Sequence, residues 1–454
     1  MRIVLAGAGI AGLSSALLLA RSGFQVDLIE RDDGPPETFE GVDSWARPGA
    51  PQNRHPHVFF GLFRSLLQKW LPDVYEELLE IGAGDINVER PEIHRGAAGD
   101  SDLCMIAARR IAVEWVLHRA IGKEPNISLR SGATVREVIV EDRAVVGVVV
   151  DGELLPTSIL VDACGRGSRL ARTFTEVRDE TSCDVIYHSR FYRLAPGVEQ
   201  PTLHEGSVSK VGGHGFGGSL FCHENGFFSI TLGRLPEDEA LKPLRENDGF
   251  EKAIAIIPRL EEWLRNRLPE PHSRVTPIAG LRNTIRDLGP DAPSGYFPIG
   301  DALCTTDPSF GRGSPIALAQ AVELAVELSG AMVSLREQSI RATGGALDIV
   351  RPWFDDAVRM DARRTAYWRA IRTNSVTSPP ALDVNSISAL ALLEAGKADP
   401  ELWRIAQRSL NMFDGPTAVN TAEVAVRLRD LAGSGWRPTG QGPSYQEMVA
   451  ALSA

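Results

Sequence analysis

Gly7-Ala8-Gly9-Ile10-Ala11-Gly12 stands between a short apolar run, Ile3-Val4-Leu5-Ala6, and a stretch of helical pattern. The spacing is GxGxxG, and the chemistry it suits is the binding of a dinucleotide pyrophosphate. The first two glycines allow a tight turn and close approach of phosphate to backbone, and the third lets the helix pack on the strand. A helix N-terminus here offers unpaired N–H groups and about half a positive charge. Glu30 closes the next apolar run, 25–29, at the spacing of a carboxylate that holds a ribose diol. Residues 213–218 also fit GxGxxG, but a strand-and-hairpin pattern follows them instead of a helix. They read as a loop, and a single dinucleotide fold is expected.

These residues need a βαβ unit to position them. Strand 3–6, a helix over 11–22 and strand 25–29 supply it, which implies a parallel, doubly wound sheet. A Gly/Pro-rich loop over 31–57 follows, then a helix over 58–82 and another over 111–121. Residues 134–140, 144–150 and 158–163 read as three strands of an antiparallel meander, with turns at Asp142-Arg143 and Asp151-Gly152. Asn225-Gly226 marks a hairpin between 219–223 and 227–232. A helix over 250–267, strands at 276–278 and 296–300, a helix over 314–335 and a helical tail from 347 complete the pattern.

Composition bounds the function. The chain has 454 residues, with 48 Lys+Arg against 59 Asp+Glu, a net charge of −11. With 43% hydrophobic and 24% charged residues it is an ordinary globular sequence, long enough for two or three domains. The acidic balance argues against nucleic-acid binding. No apolar run approaches the ~20 residues of a membrane span. Five scattered cysteines without a CxxC pair argue against a metal or disulfide framework, and a cytoplasmic location is expected.

The single dinucleotide motif, the meander after it and a late Gly300-Asp301-Ala302, with Pro308 and Gly311-Arg312-Gly313 beyond, resemble the FAD-binding family that contains para-hydroxybenzoate hydroxylase. The resemblance spans about residues 1–330. It implies a glutathione reductase-type FAD domain with a β-meander, a second, mainly antiparallel sheet domain for substrate, and a helical C-terminal region. The expected division is 1–84, 105–175 and 276–335 for FAD, 85–104 and 176–275 for substrate, and 336–454 for the C-terminal helices. It implies FAD contacts from Gly7, Ala8, Gly9, Ala11, Gly12, Glu30, Arg31, Arg110 (with Arg109 as the alternative), Val135, Asp301, Gly311 and Gly313. The loop with Pro308 and Arg312 would face the flavin ring. No acid–base dyad is expected.

A narrower resemblance lies in Pro51-Gln52-Asn53-Arg54-His55-Pro56-His57, Trp70-Leu71-Pro72 and Ile81-Gly82-Ala83. It is similar to the branch of polyether-precursor epoxidases and styrene monooxygenase, and implies that Arg54 touches FAD. Where single-component hydroxylases carry an Asp-Gly pair linked to NAD(P)H, this chain has Cys164-Gly165, with Asp162 two residues earlier on the other side of the strand end. Reducing equivalents are therefore expected from NAD(P)H either directly or through a separate flavin reductase. The eight tryptophans never form the WxWxIP stretch of flavin halogenases.

The resemblance implies a monooxygenase in which reduced FAD and O2 form a C4a-(hydro)peroxide that epoxidises or hydroxylates a lipophilic or aromatic biosynthetic intermediate of secondary metabolism. Phe191, Phe216, Phe221 and Phe228 are the expected pocket lining. The alternatives are a single-component NAD(P)H-dependent aromatic hydroxylase, an FAD-dependent dehydrogenase or oxidase without oxygen insertion, and a non-enzymatic FAD-holding protein. The C-terminal helices, with Trp353, Trp368, Trp403 and Met412, are expected to cover a sheet edge, with active-site closure or a dimer face as alternatives.

Overall fold

The computed structural model describes all residues except 89–98, 199, 201–202, 204–207, 213, 266, 268, 331–332, 377–386 and 437–441. Its parallel sheet has, among the described residues, the order Tyr296–Pro298, Leu160–Asp162, Arg2–Ala6, Gln25–Ile29, Ile127–Arg130. Alternation along its strands builds two cores. Ile3, Leu5, Val26 and Leu28 face the helices Ile10–Arg21, Arg110–Lys123 and Gly313–Ser329. Val4, Ala6 and Ile29 face the meander, against Val145, Val148 and Leu155.

The meander is Val135–Glu141, Ala144–Val150 and Glu153–Pro156. The strand expected as its third member, 158–163, instead runs as Leu160–Asp162 in the parallel sheet between Arg2–Ala6 and Tyr296–Pro298. A short apolar run does not declare which sheet it joins; pairing across more than 150 residues decides it. Both expected turns hold, with positive φ at Asp142, Arg143, Asp151 and Gly152.

A second, antiparallel sheet contains Val208–Gly212, Gly217–Cys222, Phe227–Arg234 and Ile186–Arg193, with Glu270–Pro271 and Thr276–Ile278 on its edge strand. The hairpin at Asn225-Gly226 is present, both residues having positive φ. The helix expected over 58–82 is two helices, Gly61–Trp70 and Pro72–Glu80, because Pro72 cannot continue a helix and begins a new one. Pro258 divides 250–267 in the same way, into Asn247–Ala255 and Pro258–Arg265. The C-terminal region opens with Leu335–Arg372, a helix of 38 residues, followed by Ala389–Gly396 and Pro400–Leu410. Among the described residues no helix is long and apolar enough to cross a membrane.

Candidate functional site: one cavity between two open helix N-termini

The strand Arg2–Ala6 delivers the chain to Gly7, whose N–H donates to the Ile29 carbonyl oxygen at 2.8 Å. The helix Ile10–Arg21 then starts from Gly9, and no side chain caps it. A Cβ on Gly12 would lie 1.8 Å from the Gly7 oxygen, so only glycine lets this helix begin so close to the strand. Glu30 is buried at the end of the second strand and accepts the N–H of Ala8 at 2.6 Å and of Asp32 at 2.9 Å. Each oxygen of an ionised carboxylate has a second lone pair for a further donor.

Arg47 and Arg110 meet over this turn. Arg47 is buried, donates to the Ala8 carbonyl oxygen at 2.9 Å and lies 3.3 Å from Glu114. Its Nε lies 3.7 Å from Asp32, and among the described residues neither Nε nor Nη1 has a hydrogen-bond partner. Arg110 donates from Nε to Glu114 at 2.8 Å, and its Nη1 lies 3.4 Å from Nε2 of His57. Burial, and then the Arg110 charge, hold the His57 imidazole well below its ordinary pKa. A neutral ring that donates from Nδ1 to the His55 carbonyl oxygen, 3.0 Å away, can accept from Arg110 at Nε2. The Glu114 carboxylate, fully buried, thus holds both arginines in place.

At the far end, residues 307–313 turn into the helix Gly313–Ser329, which also has no side-chain cap. Gly311 sits at φ +69°, with Val58 and Phe60 packed where a Cβ would point. The Arg312 guanidinium lies 4.8 Å from the ring centres of both Phe310 and Trp353, donates to the Trp353 carbonyl oxygen at 3.0 Å and pairs with Asp356. Asp307 starts the turn. Its carboxylate accepts the Ser309 N–H at 2.8 Å, the Tyr187 hydroxyl at 2.9 Å and Arg364 at 2.8 Å. Arg364 also pairs with Asp361 at 2.9 Å, and Asn283 bonds both Asp361 and the Asp307 N–H. The long helix Leu335–Arg372 thus grips this turn at both ends.

A cavity of about 860 Å³ joins the two ends. Gly7, Ala8, Gly9, Ala11, Glu30, Arg31, Arg110, Val135, Asp301, Pro308, Gly311, Arg312 and Gly313 all line it. Burial raises the Asp301 carboxyl, and Arg110 and Arg166 oppose the shift. Gly12 lies behind the wall as a packing residue. Of the two candidate arginines, Arg110 faces the cavity, whereas Arg109 turns away to Glu224 and Asp43. Arg54 is exposed and outside the lining; Arg47, from the same loop, occupies the cavity. Sequence reading missed Arg47, whose signal was only a basic residue in a Gly/Pro-rich loop.

The aromatic lining differs from expectation. Phe221 lines the cavity, but Phe191, Phe216 and Phe228 do not. Phe228 and Phe216 point to the opposite face of the sheet, into a core with Ile230, Leu232 and Phe250, and Phe191 packs on His223. Cys164 lines the cavity, while Asp162 is buried and accepts the Cys164 N–H, the Ser168 hydroxyl and the Tyr296 hydroxyl. The C-terminal region reaches the cavity through Val350, Met360, Leu390, Leu410 and Val419, so it does more than cover a sheet edge.

The residues present fit FAD. The first helix N-terminus and Arg47, whose Nη1 has no hydrogen-bond partner among the described residues, suit a pyrophosphate, Glu30 a ribose, and the second helix N-terminus a flavin ring that gains negative charge on reduction.

Comparison with known proteins agrees with this architecture. A family model described as an NAD(P)-binding Rossmann-like domain matches residues 6–78. The chain is 25% identical over 354 residues, 71% of each chain, to Protein Rv3254 of Mycobacterium tuberculosis (strain ATCC 25618 / H37Rv). Similar solved structures include the flavin-dependent brominase Bmp2 (15% identity, TM-score 0.61, 96% of this chain and 99% of that one). The p-nitrophenol 4-monooxygenase PnpA of Pseudomonas putida DLL-E4 is another (14% identity, TM-score 0.62, 91% and 99%). A third is PqsL of P. aeruginosa in complex with 2-aminobenzoylacetate (16% identity, TM-score 0.56, 82% and 96%). A parallel sheet carrying the GxGxxG turn, a meander on its back and an antiparallel sheet across the cavity give this chain the fold it shares with these solved structures.

Proposed function

We propose that this protein is an FAD-dependent monooxygenase that inserts oxygen into a lipophilic small molecule. The observation that carries the reading is the single cavity running from one uncapped helix N-terminus, past Glu30, Arg47, Arg110 and Asp301, to a second. Glu30 would accept ribose hydroxyls, and Arg47 and Arg110 would offset phosphate charge. Asp301 would accept from the ribityl chain, and Val135 would meet the adenine. FAD, when bound and reduced, supplies the activation of O2. The chain contributes binding and orientation, a helix N-terminus that stabilises negative charge by ~0.3–2 kcal/mol, and an aliphatic wall that keeps water from the reacting atoms. The domain division expected from the sequence and a cytoplasmic setting are part of this reading.

Cys164 at the cavity supports delivery of electrons by a separate flavin reductase over direct NAD(P)H use. Stopped-flow reduction with NADH and NADPH, with and without a flavin reductase, tests this. Slow reduction alone and fast reduction with the reductase are expected; rapid direct reduction by NADPH would favour the single-component hydroxylase. Exposure of the reduced protein to O2 then tests oxygen insertion: immediate return to oxidised flavin, with no oxygenated product, would favour a dehydrogenase or oxidase. Asp301→Ala should release FAD, and full retention of yellow colour after dialysis would refute the role given to Asp301.

One observation favours a second reading. Lys210 lines the cavity and donates to the Ser309 carbonyl oxygen at 3.2 Å, beside the turn that would face the flavin, and halogenases carry a lysine near their flavin. The missing WxWxIP stretch opposes it. Product that requires bromide or chloride would favour halide oxidation; product without halide would dismiss it.

A further inference from the structure

We propose that Arg166, Arg169 and Arg286 form a basic mouth that captures FAD from solution and steers its diphosphate toward Arg47 and Arg110. This rests on the preceding reading of the cavity as the FAD cleft, in which none of the three residues contacts bound FAD. Among the described residues, ten Arg and Lys line the cavity against four Asp and Glu, in a chain whose net charge is −11. A dianion therefore meets repulsion over the rest of the surface and attraction at the cavity. Most of the lining cations already have partners. Glu114 holds Arg47 and Arg110, Asp151 lies 3.1 Å from Arg136, and Arg282 and Arg312 pair with Glu180 and Asp356. Lys210 is bonded to the Ser309 carbonyl oxygen. Arg166, Arg169 and Arg286 also line the cavity, but make no hydrogen bond or ion pair with any described residue.

The three are placed for an outer role. Arg166 and Arg169 are exposed and Arg286 is half-buried, whereas Arg47 is buried. Arg166 and Arg169 follow the C-terminal end of the parallel strand Leu160–Asp162, the edge of an α/β sheet at which ligands bind. Ser168, between them, is buried, donates to Asp162 at 2.6 Å and accepts the Ala171 N–H at 3.0 Å, which fixes the turn that carries them. Arg286 stands opposite Val177, on the strand Thr175–Ser182 that the chain enters soon after Arg169. The Arg166 charge opposes the rise of the Asp301 carboxyl and bears on His55, so it reaches into the cleft. Reduced FAD made by a separate reductase has to cross water containing O2, which reoxidises free reduced flavin, and fast capture shortens that exposure. Steering by a cluster of like charges raises association rates about 10–1000-fold. It fades with salt, because the Debye length shrinks from about 30 Å at 0.01 M to about 8 Å at 0.15 M.

The test is stopped-flow fluorescence of the flavin-free full-length chain mixed with FAD at about 10 mM and about 300 mM NaCl. At low salt the triple variant Arg166→Gln, Arg169→Gln, Arg286→Gln should take up FAD at least about 5-fold more slowly than the unaltered protein. Its release rate on dilution should stay within about twofold, and the uptake difference should fall below about twofold at high salt. The triple change to lysine should keep uptake fast, because steering depends on charge and not on guanidinium geometry. Equal uptake by the glutamine variant and the unaltered protein at low salt would overturn the proposal, as would a deficit that persists at high salt. A loss of affinity carried by faster release would also overturn it, since the arginines would then hold bound FAD. If the triple variant does not fold, Arg166→Gln and Arg169→Gln, both at exposed positions, should each slow uptake at low salt by about twofold, and no effect in either would overturn it. FAD that binds with unaltered rates refutes this inference alone; a chain that binds no FAD at either salt concentration refutes the cofactor reading beneath it.

Discussion

Replacing Arg364 by methionine removes the guanidinium that lies between two buried carboxylates. Asp307 and Asp361 have ligand oxygens within 4.8 Å of one another, and Arg364 pairs with both at 2.8 and 2.9 Å. Tyr187, Asn283 and Ser309 bond the same pair, and Cys183 lies against it. Burial pushes the Asp361 carboxyl up, and the Asp307 charge adds to the shift. Burial acts on Asp307 in the same sense, but the Arg364 charge prevails and lowers it. Without Arg364, the two carboxylates, within 4.8 Å of one another, repel by at least about 3.5 kcal/mol when both are ionised, at an effective dielectric of ~20. Loss of one partner from a buried ionic cluster costs about 3–5 kcal/mol. For a chain of this length that corresponds to a fall in Tm of roughly 3–10 °C at pH 8. The sign of the pH dependence follows. Carboxyls held above their unfolded range carry a proton when folded that the unfolded chain has lost, so stability falls as pH rises. The deficit of Arg364→Met relative to the unaltered protein should therefore shrink between pH 8 and pH 5.5. Adding Asp361→Asn should recover most of it, because the amide keeps the bond from Asn283 without a charge. Thermal unfolding of the three proteins at both pH values measures this. A deficit that does not change with pH, or a double variant as unstable as the single one, would refute the reasoning.

Arg47→Met should raise the Kd for FAD by about 10-fold or more, since charge-assisted bonds contribute ~1.5–3 kcal/mol, whereas Arg54→Ala should leave it within about twofold; fluorescence titration separates them. Phe228→Ala should cost about 3–5 kcal/mol of stability in urea unfolding, with FAD affinity unchanged, because its ring lies in the core behind the sheet. Burial lowers His55, His118 and His188 to about 4 and His223 to about 3, from an ordinary 6.5. The unfolded chain then binds protons that the folded one refuses, so stability should fall as pH drops from about 6.5 to about 4, by up to ~1.4 kcal/mol per histidine per pH unit. A urea midpoint that does not change between pH 7 and pH 5 would contradict this. The difference between Arg364→Met and the unaltered protein is insulated from this effect, since both carry the same histidines.

The sequence by itself determined what is local. The GxGxxG turn, its flanking strand and helix, Glu30 and the 300–313 segment are set by glycine geometry, apolar periodicity and helix polarity within a few tens of residues. Pro72 and Pro258 each begin a new helix where the apolar pattern over 58–82 and 250–267 runs together as one, although the signal for each break is local. The tertiary structure decided what depends on distant pairing. Whether Leu160–Asp162 joins the meander or the parallel sheet is fixed by Arg2–Ala6 and Tyr296–Pro298. Strand alternation puts Phe221 and Phe228 on opposite faces of the hairpin, but only the packing of the long C-terminal helix against one side tells which face looks into the cavity. Arg47 is placed by Glu114, which is remote from it in the chain, and Arg109 is drawn away by the equally remote Glu224, leaving Arg110, held by Glu114 one turn along its own helix, to face the cavity. A motif fixes the backbone that meets a ligand; side chains from loops and distant helices take their places only when the whole chain has packed.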